Sequence, residues 1–545
     1  MMQKSPLAML YHWEQQQPNT VYLRQPINGV FHDITWAEYG QRIRRLAAAL
    51  KARQYPDGSH IAILSKNCAE WFITDLAIMM AGHVSVPIYA TAGQETIQYV
   101  LTHSHCRAIF IGKLDDTEHQ CQAIPNHVER FAFPYDGIKA DHFWNDVMAH
   151  EPLTDNPDRS ADDTMSIIYT SGSTGNPKGV VVTLGAYGWS CETLGRTMPT
   201  YPNDRALSYL PLAHITERVI IEGASLYNGF QVSFVESLDT FADNLKTVSP
   251  TLFLSVPRLW TRFQMAVLAK MPPKKLNLLL SIPFLNKVVA RKIRQQLGLD
   301  DARLFGSGSA PLSKATIQWY QRIGINITEA WGMSETTALG TTCHPFRADK
   351  IGSIGRAYDG VDLRLSDEGE IQVKGPFLMK EYYLEPEKTA ETFTEDGYLK
   401  TGDKGEMDSE GYVKITGRLK EIFKTSKGKY IAPVPIESKI MENPLVEQIC
   451  VTGSHLKQPI ALLVLTPEAS TLEREHVRHS LEKTLEKVNS TLESHAVLDA
   501  LMIVNDSWTV ENNLLTPTLK IRRHLIEAYY HETIHRPLQA KVEWQ

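Results

Sequence analysis

Short apolar runs alternate with helical patterns through roughly the first 340 residues, and no other feature limits the fold of this chain so strongly. Residues 60–65 (HIAILS), 84–89 (VSVPIY), 107–112 (RAIFIG), 165–170, 232–235, 252–256 and 325–328 read as buried strands. Between the first two lies 71–81 (WFITDLAIMMA), an apolar helix closed by Gly82, a residue suited to the left-handed helix end. Strands separated by helices pair in parallel, and both faces of the sheet then need helical cover. Ligands of such sheets collect beyond the C-terminal ends of the strands.

The texture changes at Val361. Residues 361–375 (VDLRLSDEGEIQVKG) and 405–416 (GEMDSEGYVKIT) alternate apolar and polar residues around Glu-Gly turns, the pattern of antiparallel hairpins. Past Arg418 the chain is rich in Lys and Glu, with a further α/β pattern to about Glu532. The expected architecture is α/β. A large N-terminal domain over 1–417 has mostly parallel sheets covered by helices and a small antiparallel β subdomain, and a smaller α+β C-terminal domain occupies 418–545.

Lys plus Arg number 56 and Asp plus Glu 62, a net charge of −6, so nothing global points to nucleic acid and any phosphate chemistry must come from local loops. Six cysteines without a CxxC pair read as reduced thiols in a cytoplasmic protein. The N-terminus lacks the sustained apolar core of a signal peptide, and no run approaches the ~20 apolar residues of a membrane-spanning helix. The nearest candidate, 276–290 (LNLLLSIPFLNKVVA), is broken by Pro283 and flanked by Lys274, Lys275, Lys287, Arg291, Lys292 and Arg294. It reads first as a pair of packed helices with solvated basic ends, and second as a peripheral contact with an anionic membrane face.

Chemistry concentrates at 169–182, YTSGSTGNPKGVVV. Glycines allow close backbone approach to an anion, hydroxyls and amides donate hydrogen bonds, and Lys178 supplies charge. The loop suits the phosphates of a nucleotide. Its spacing is not that of a Walker loop, because only Asn176 and Pro177 separate Gly175 from Lys178. Other residues are ambiguous alone. Glu335 suits a helix N-terminus better than a metal, Trp331 suits core packing, Asp403 a turn cap, and Lys520 a solvated basic tip. His214 has no paired Asp or Cys, and no GxSxG elbow or His/Cys/Asp box appears.

YTSGSTGNPKGV closely resembles the phosphate loop of the AMP-forming acyl-adenylate superfamily, and further segments match in that superfamily's order. LPLAHITERV (210–219) looks like the substrate-side motif of long-chain members, GSGSAPL (306–312) like the adenine segment, and EAWGMSET (329–336) like the aromatic-Gly-Met-Ser-Glu motif. TGD (401–403), GRLKEIFKTSKGKYIAPVPIE (417–437) and LTPTLKIRR (515–523) complete a similarity spanning about 165–523.

The resemblance implies an ATP-dependent, Mg²⁺-assisted long-chain fatty acid–CoA ligase. A fatty acyl-AMP ligase that delivers to a carrier-protein thiol is the alternative. By resemblance, Thr170, Ser171, Gly172, Ser173, Thr174, Gly175 and Lys178 hold phosphates, and Thr174 and Glu335 hold the magnesium. Gly308, Ser309, Ala310, Glu329, Trp331, Gly332 and Ser334 surround the base, with Glu329 near a position where the family carries an amide. Asp403 and Arg418 hold the ribose, and Gly428 lets the pantetheine chain of CoA pass. His214 borders the acyl carboxylate. Lys520 stabilises adenylation with Lys178 and Glu335, and Lys420 is the hinge about which a mobile C-terminal domain turns.

Overall fold

A computed structural model describes residues 4–170, 176–454, 456–516 and 519–545. Among these, two large sheets carry the N-terminal part. In the first, strands His60–Leu64, Val84–Ile88 and Ala108–Ile111 pair in parallel, and Thr164–Thr170 joins them in parallel through Ser85 and Ser166. Helix Ala69–Met80 packs against them with all of its residues buried, which explains a sequence that is apolar nearly all round. Gly82 follows with φ +87°, the left-handed position expected of it.

The second sheet runs in parallel through Gln231–Phe234, Arg205–Ser208, Leu252–Ser255, Leu304–Ser307 and Ile327–Trp331. Arg205–Ser208 and Leu304–Ser307 were not legible as strands, because four-residue runs with a Ser or Gly carry little β signal. Both sheets also acquire antiparallel edges. The Lys178–Thr183 strand runs antiparallel to Thr164–Thr170.

A third sheet, of strands Asp362–Leu365, Glu370–Lys374, Leu399–Met407 and Val413–Arg418, is antiparallel throughout, as the hairpin pattern requires. One local expectation is corrected here. Thr401, Gly402 and Asp403 do not form a turn; they stand inside the Leu399–Met407 strand, which starts well before Gly405. Gly402 at φ +73° and a register shift between Lys404 and Gly405 bend the strand there, which is how a Thr-Gly-Asp sequence fits a ladder.

Beyond Arg418, strands Val446–Thr452, Ile460–Leu465, Leu501–Ile503 and Val542–Trp544 form a mixed sheet covered by helix Arg474–Asn489. The last of these strands lies past the point where the sequence pattern faded. The buried residues of the cores in this part, from Ile431 to Val542, share no member with those of the N-terminal cores, which end at Val413. Segment 276–290 falls on two packed helices, Pro273–Ser281 and Leu285–Leu297, anchored by Leu276, Ala290 and Ile293. Among the described residues, no helix is long and apolar enough to cross a membrane.

Candidate active site

Ser171, Gly172, Ser173, Thr174 and Gly175 lie outside the described residues. The strands on either side are described, and Thr170 pairs directly with Lys178. Lys178 Nζ stands 4.7 Å from the centroid of the Tyr382 ring. Tyr382 arrives on the short strand Glu381–Tyr382, which pairs antiparallel with Val180 and Val181. Its hydroxyl donates a 2.7 Å hydrogen bond to Glu335 Oε1. Burial and the Glu335 charge raise the Tyr382 pKa, so the phenol stays a donor and fixes the carboxylate.

Glu335 sits in the 3₁₀ turn Ser334–Thr336, directly after strand Ile327–Trp331. The turn is tight: a Cβ at Gly332 would lie 2.0 Å from the Ala338 carbonyl oxygen, so no side chain fits there. Thr337 and Ala338 both take positive φ, and Ser334 and Glu335 are buried. Met379 N–H donates to the Glu335 carbonyl at 2.8 Å, tying the turn to the segment that carries Tyr382.

Trp331 is 9 % exposed, and a Cβ on Gly340 would lie 2.6 Å from its ring. Most of the indole is therefore packed, and its main polar act is an Nε1–H bond of 2.8 Å to Asp403 Oδ2. Asp403 Oδ1 accepts from Arg418 Nε at 2.7 Å, the two residues being cross-strand partners. Asp403 raises the Arg418 pKa against the opposing effect of burial. Each carboxylate oxygen of Asp403 thus holds one donor and keeps lone-pair capacity for another.

Glu329 pairs in register with Ser307, and its Oε1 faces the Leu312 N–H at 3.4 Å. Burial lifts its pKa to about 7, so its carboxyl sits near the balance between acid and anion. Gly308, Ser309 and Ala310 lie in the loop that leads from strand Leu304–Ser307 to helix Lys314–Arg322, with Ser309 at φ +68°.

Lys420 and Lys520 complete the cluster from the C-terminal part. Although Lys520 reaches solvent, protein surrounds much of it. Burial lowers its pKa from the usual 10.5, Arg418 lowers it further, and Asp403, Glu335 and Glu421 pull it back. Lys178 is lowered in the same way, by burial and then by Lys420 and Lys388, against Glu335 and Glu385. His214 caps a short helix, its Nδ1 accepting from Thr216 N–H at 3.2 Å, which leaves Nε2–H as the donor of the neutral ring. Burial and nearby Lys520 push its pKa down to about 4.

Lys420 lies on the 3₁₀ turn Leu419–Glu421, immediately after Arg418 ends its strand. Gly428, at φ +77°, shapes the turn of a small hairpin between Phe423–Lys424 and Tyr430–Ile431. Among the described residues, no hydrogen bond or ion pair joins 424–430 to Lys178, Glu335 or Asp403. The structure therefore gathers Lys178, Glu335, Trp331, Asp403, Arg418, Lys420, Lys520 and His214 in one neighbourhood and leaves Gly428 apart.

No group of three or more His, Cys, Asp or Glu gathers to hold a metal among the described residues. The single carboxylate of Glu335 fits a magnesium ion that leans on substrate phosphates and retained waters. Two residues escaped the sequence reading. Tyr382, in the unremarkable run KEYYLEP, gave no local signal; only strand pairing brings it between Lys178 and Glu335. Arg218, four residues past His214, is fully buried and pairs with Asp75 and Glu222 while bonding Ser166 at 2.7 Å. Its position within LPLAHITERV was legible, but its partner was not.

The sequence matches the family described as AMP-binding enzyme over residues 10–383 and the AMP-binding enzyme C-terminal domain over 420–540. It is 29 % identical to the long-chain-fatty-acid–CoA ligase FadD15 of Mycobacterium bovis, covering 95 % of this chain and 94 % of that one. It is also 29 % identical to long-chain-fatty-acid–CoA ligase 5 of Rattus norvegicus, covering 94 % and 85 %. The fold is similar to the adenylation domain of the carboxylate reductase from Mycobacterium chelonae, with a TM-score of 0.82 at 22 % identity over 98 % of this chain and 91 % of that one.

Proposed function

Because this chain belongs to the AMP-binding enzyme family, we propose that it activates a long-chain fatty acid with ATP and passes the acyl group to CoA. In the first half-reaction a carboxylate oxygen attacks the α-phosphorus of ATP, the bond to pyrophosphate breaks, and acyl-AMP forms. The carboxylate is already ionised at neutral pH, so no general base is required. His214, neutral with a pKa of about 4, suits a hydrogen-bond donor to the acyl carboxylate rather than a base. The barrier is the approach of two anions. Lys178 and Lys520 lower it by bringing fixed positive charge to one phosphorus from both parts of the chain. Held at Glu335, magnesium would supply further neutralisation of phosphate charge.

In the second half-reaction the CoA thiol attacks the acyl carbon and AMP leaves. A thiol with pKa near ~8.5 is a competent nucleophile with modest help. Lys520 withdraws, and the hairpin carrying Gly428 takes its place as the C-terminal domain, 418–545, turns about Lys420 relative to 1–417. Support for two arrangements comes from the asymmetry of this one, in which Lys520 stands beside Asp403 and the 424–430 hairpin does not.

The observation that carries the reading is the convergence of Lys178, Arg418 and Lys520 on the carboxylates of Glu335 and Asp403. The test is a panel of saturated acids from short to long chain, given with ATP, Mg²⁺ and CoA. AMP, pyrophosphate and acyl-CoA are expected with long acids; no pyrophosphate with any acid overturns the reading. Transfer of preformed acyl-AMP to a carrier-protein thiol and not to CoA would reassign the acceptor.

A further inference from the structure

Between Asp243 and Asp300 the sequence contains no acidic residue and ten Lys or Arg, in a chain whose net charge is −6. The helices Pro273–Ser281 and Leu285–Leu297 lie in this interval. Their inner faces are satisfied, since Leu276, Ala290 and Ile293 join a core with Trp260 and Tyr320. Their connecting turn and the helical positions beside it are not. Leu278, Ile282, Phe284, Leu285 and Val288 are 63 %, 41 %, 85 %, 37 % and 51 % exposed. Large exposed hydrophobics are otherwise scattered over the described residues, whereas these five occupy eleven consecutive positions.

The turn is also conformationally costly. Phe284 takes φ +66° and ψ −44°, a region that a bulky side chain avoids, at the most exposed aromatic of the segment. Around it stand Lys274, Lys275, Lys287 and Lys292, all exposed and in no ion pair among the described residues. An apolar tip ringed by unpaired ammonium groups matches one surface in particular: acyl chains beneath anionic headgroups. A second copy of this chain would bring like charges together. A nucleic acid would leave Phe284 and Leu285 against phosphates.

We propose that this helical hairpin docks the protein on an anionic lipid bilayer, with Ile282, Phe284 and Leu285 inserted at the headgroup–acyl boundary and the four lysines among the headgroups. The docking is separate from the ligase reading and does not depend on it.

The test is flotation of the full chain with vesicles of phosphatidylcholine alone or with about one third phosphatidylglycerol, at low and physiological salt. Binding to the anionic vesicles, weakened by salt, is expected. Phe284→Asp should lower partitioning about ten-fold or more, because a buried aromatic is replaced by a charge. Lys274→Gln, Lys275→Gln and Lys287→Gln together should lower it about 10²-fold, at roughly five-fold per charge. The altered positions are exposed, and thermal unfolding of each variant checks that the fold survives. Absence of wild-type binding to anionic vesicles overturns the proposal, as does binding that neither variant changes. Sedimentation showing a dimer that Phe284→Asp dissociates, without vesicle binding, assigns the tip to a second copy and overturns it too. So does duplex DNA binding that is indifferent to Phe284.

Discussion

Two ionic clusters lie close together in this molecule and are built in opposite ways. Around Lys178, Arg418 and Lys520 the positive groups outnumber Glu335 and Asp403, and Lys520 and Arg418 reach solvent. Around Arg218 the balance is reversed: one guanidinium faces Asp75 and Glu222, and all three are buried. The clusters share elements. Ser166, which accepts from Arg218, lies on the strand Thr164–Thr170, whose last residue faces Lys178. His214 precedes Arg218 by one helical turn, and the Arg218 N–H donates to its carbonyl at 3.3 Å. Under the proposed reaction the open positive charge would receive a polyanion, while the sealed pair holds together the elements that present it. A buried pair of that kind is weak evidence for net stability but costly to break.

The sharpest way to break the comparison is to remove Arg218. Arg218→Met should destabilise by about 3–5 kcal/mol in denaturant unfolding, because Asp75 is left buried without its counter-charge. A small loss would mean that the sealed cluster relaxes to admit water. Lys520→Ala, in contrast, should leave unfolding nearly unchanged and slow ATP–pyrophosphate exchange by about 10²–10³-fold, the cost of one preorganised donor. Unchanged exchange would remove Lys520 from the first half-reaction. Lys420→Pro should slow thioester formation by about ten-fold or more while sparing adenylation, since it locks a dihedral at the proposed pivot. Equal losses in both halves would argue against a turn there.

Two pH profiles give smaller effects. Both Lys178 and Lys520 have pKa values below the usual 10.5, so each loses its charge earlier as pH rises. Adenylation should decline on the alkaline side before an ordinary lysine titrates, and kcat/KM for ATP measured against pH checks this. Glu217 accepts from Ser208 Oγ at 2.8 Å and from Tyr209 N–H at 3.1 Å, and burial raises its pKa from 4.5 to about 8. It holds its proton in the fold and loses it when unfolded, so its contribution to stability falls as pH rises from about 4.5 to 8. Glu217→Gln should flatten that slope in thermal melts while changing little at the acid end.

Much of this was readable without coordinates. The buried strands at 60–65, 84–89 and 107–112 announced themselves by unbroken apolar runs, and the antiparallel subdomain by its period of two. Lys178 stood out from the composition of its own loop, whereas Glu335, Asp403, Arg418 and Lys520 were singled out only through the resemblance of their motifs to those of the acyl-adenylate superfamily. Their local settings were less legible. Thr401–Asp403 looked like a turn because its composition is that of one, yet the ladder with Val413–Arg418 holds it as a bent strand. Trp331 by itself suited core packing, and it is packed at Gly340, but its bond to Asp403 was not legible.

Sequence alone determined which residues carry charge and where helices and strands alternate, and it marked the loop expected to meet phosphate, since these follow from periodicity and side-chain type over a few neighbours. Only the tertiary structure decided that Tyr382 holds Glu335 across 47 residues, Trp331 holds Asp403 across 72, and Arg218 meets Asp75 across 143. Partners so far apart are chosen by strand order and layer packing, and their pKa values by what is buried around them. Neither quantity is written in any local stretch of chain.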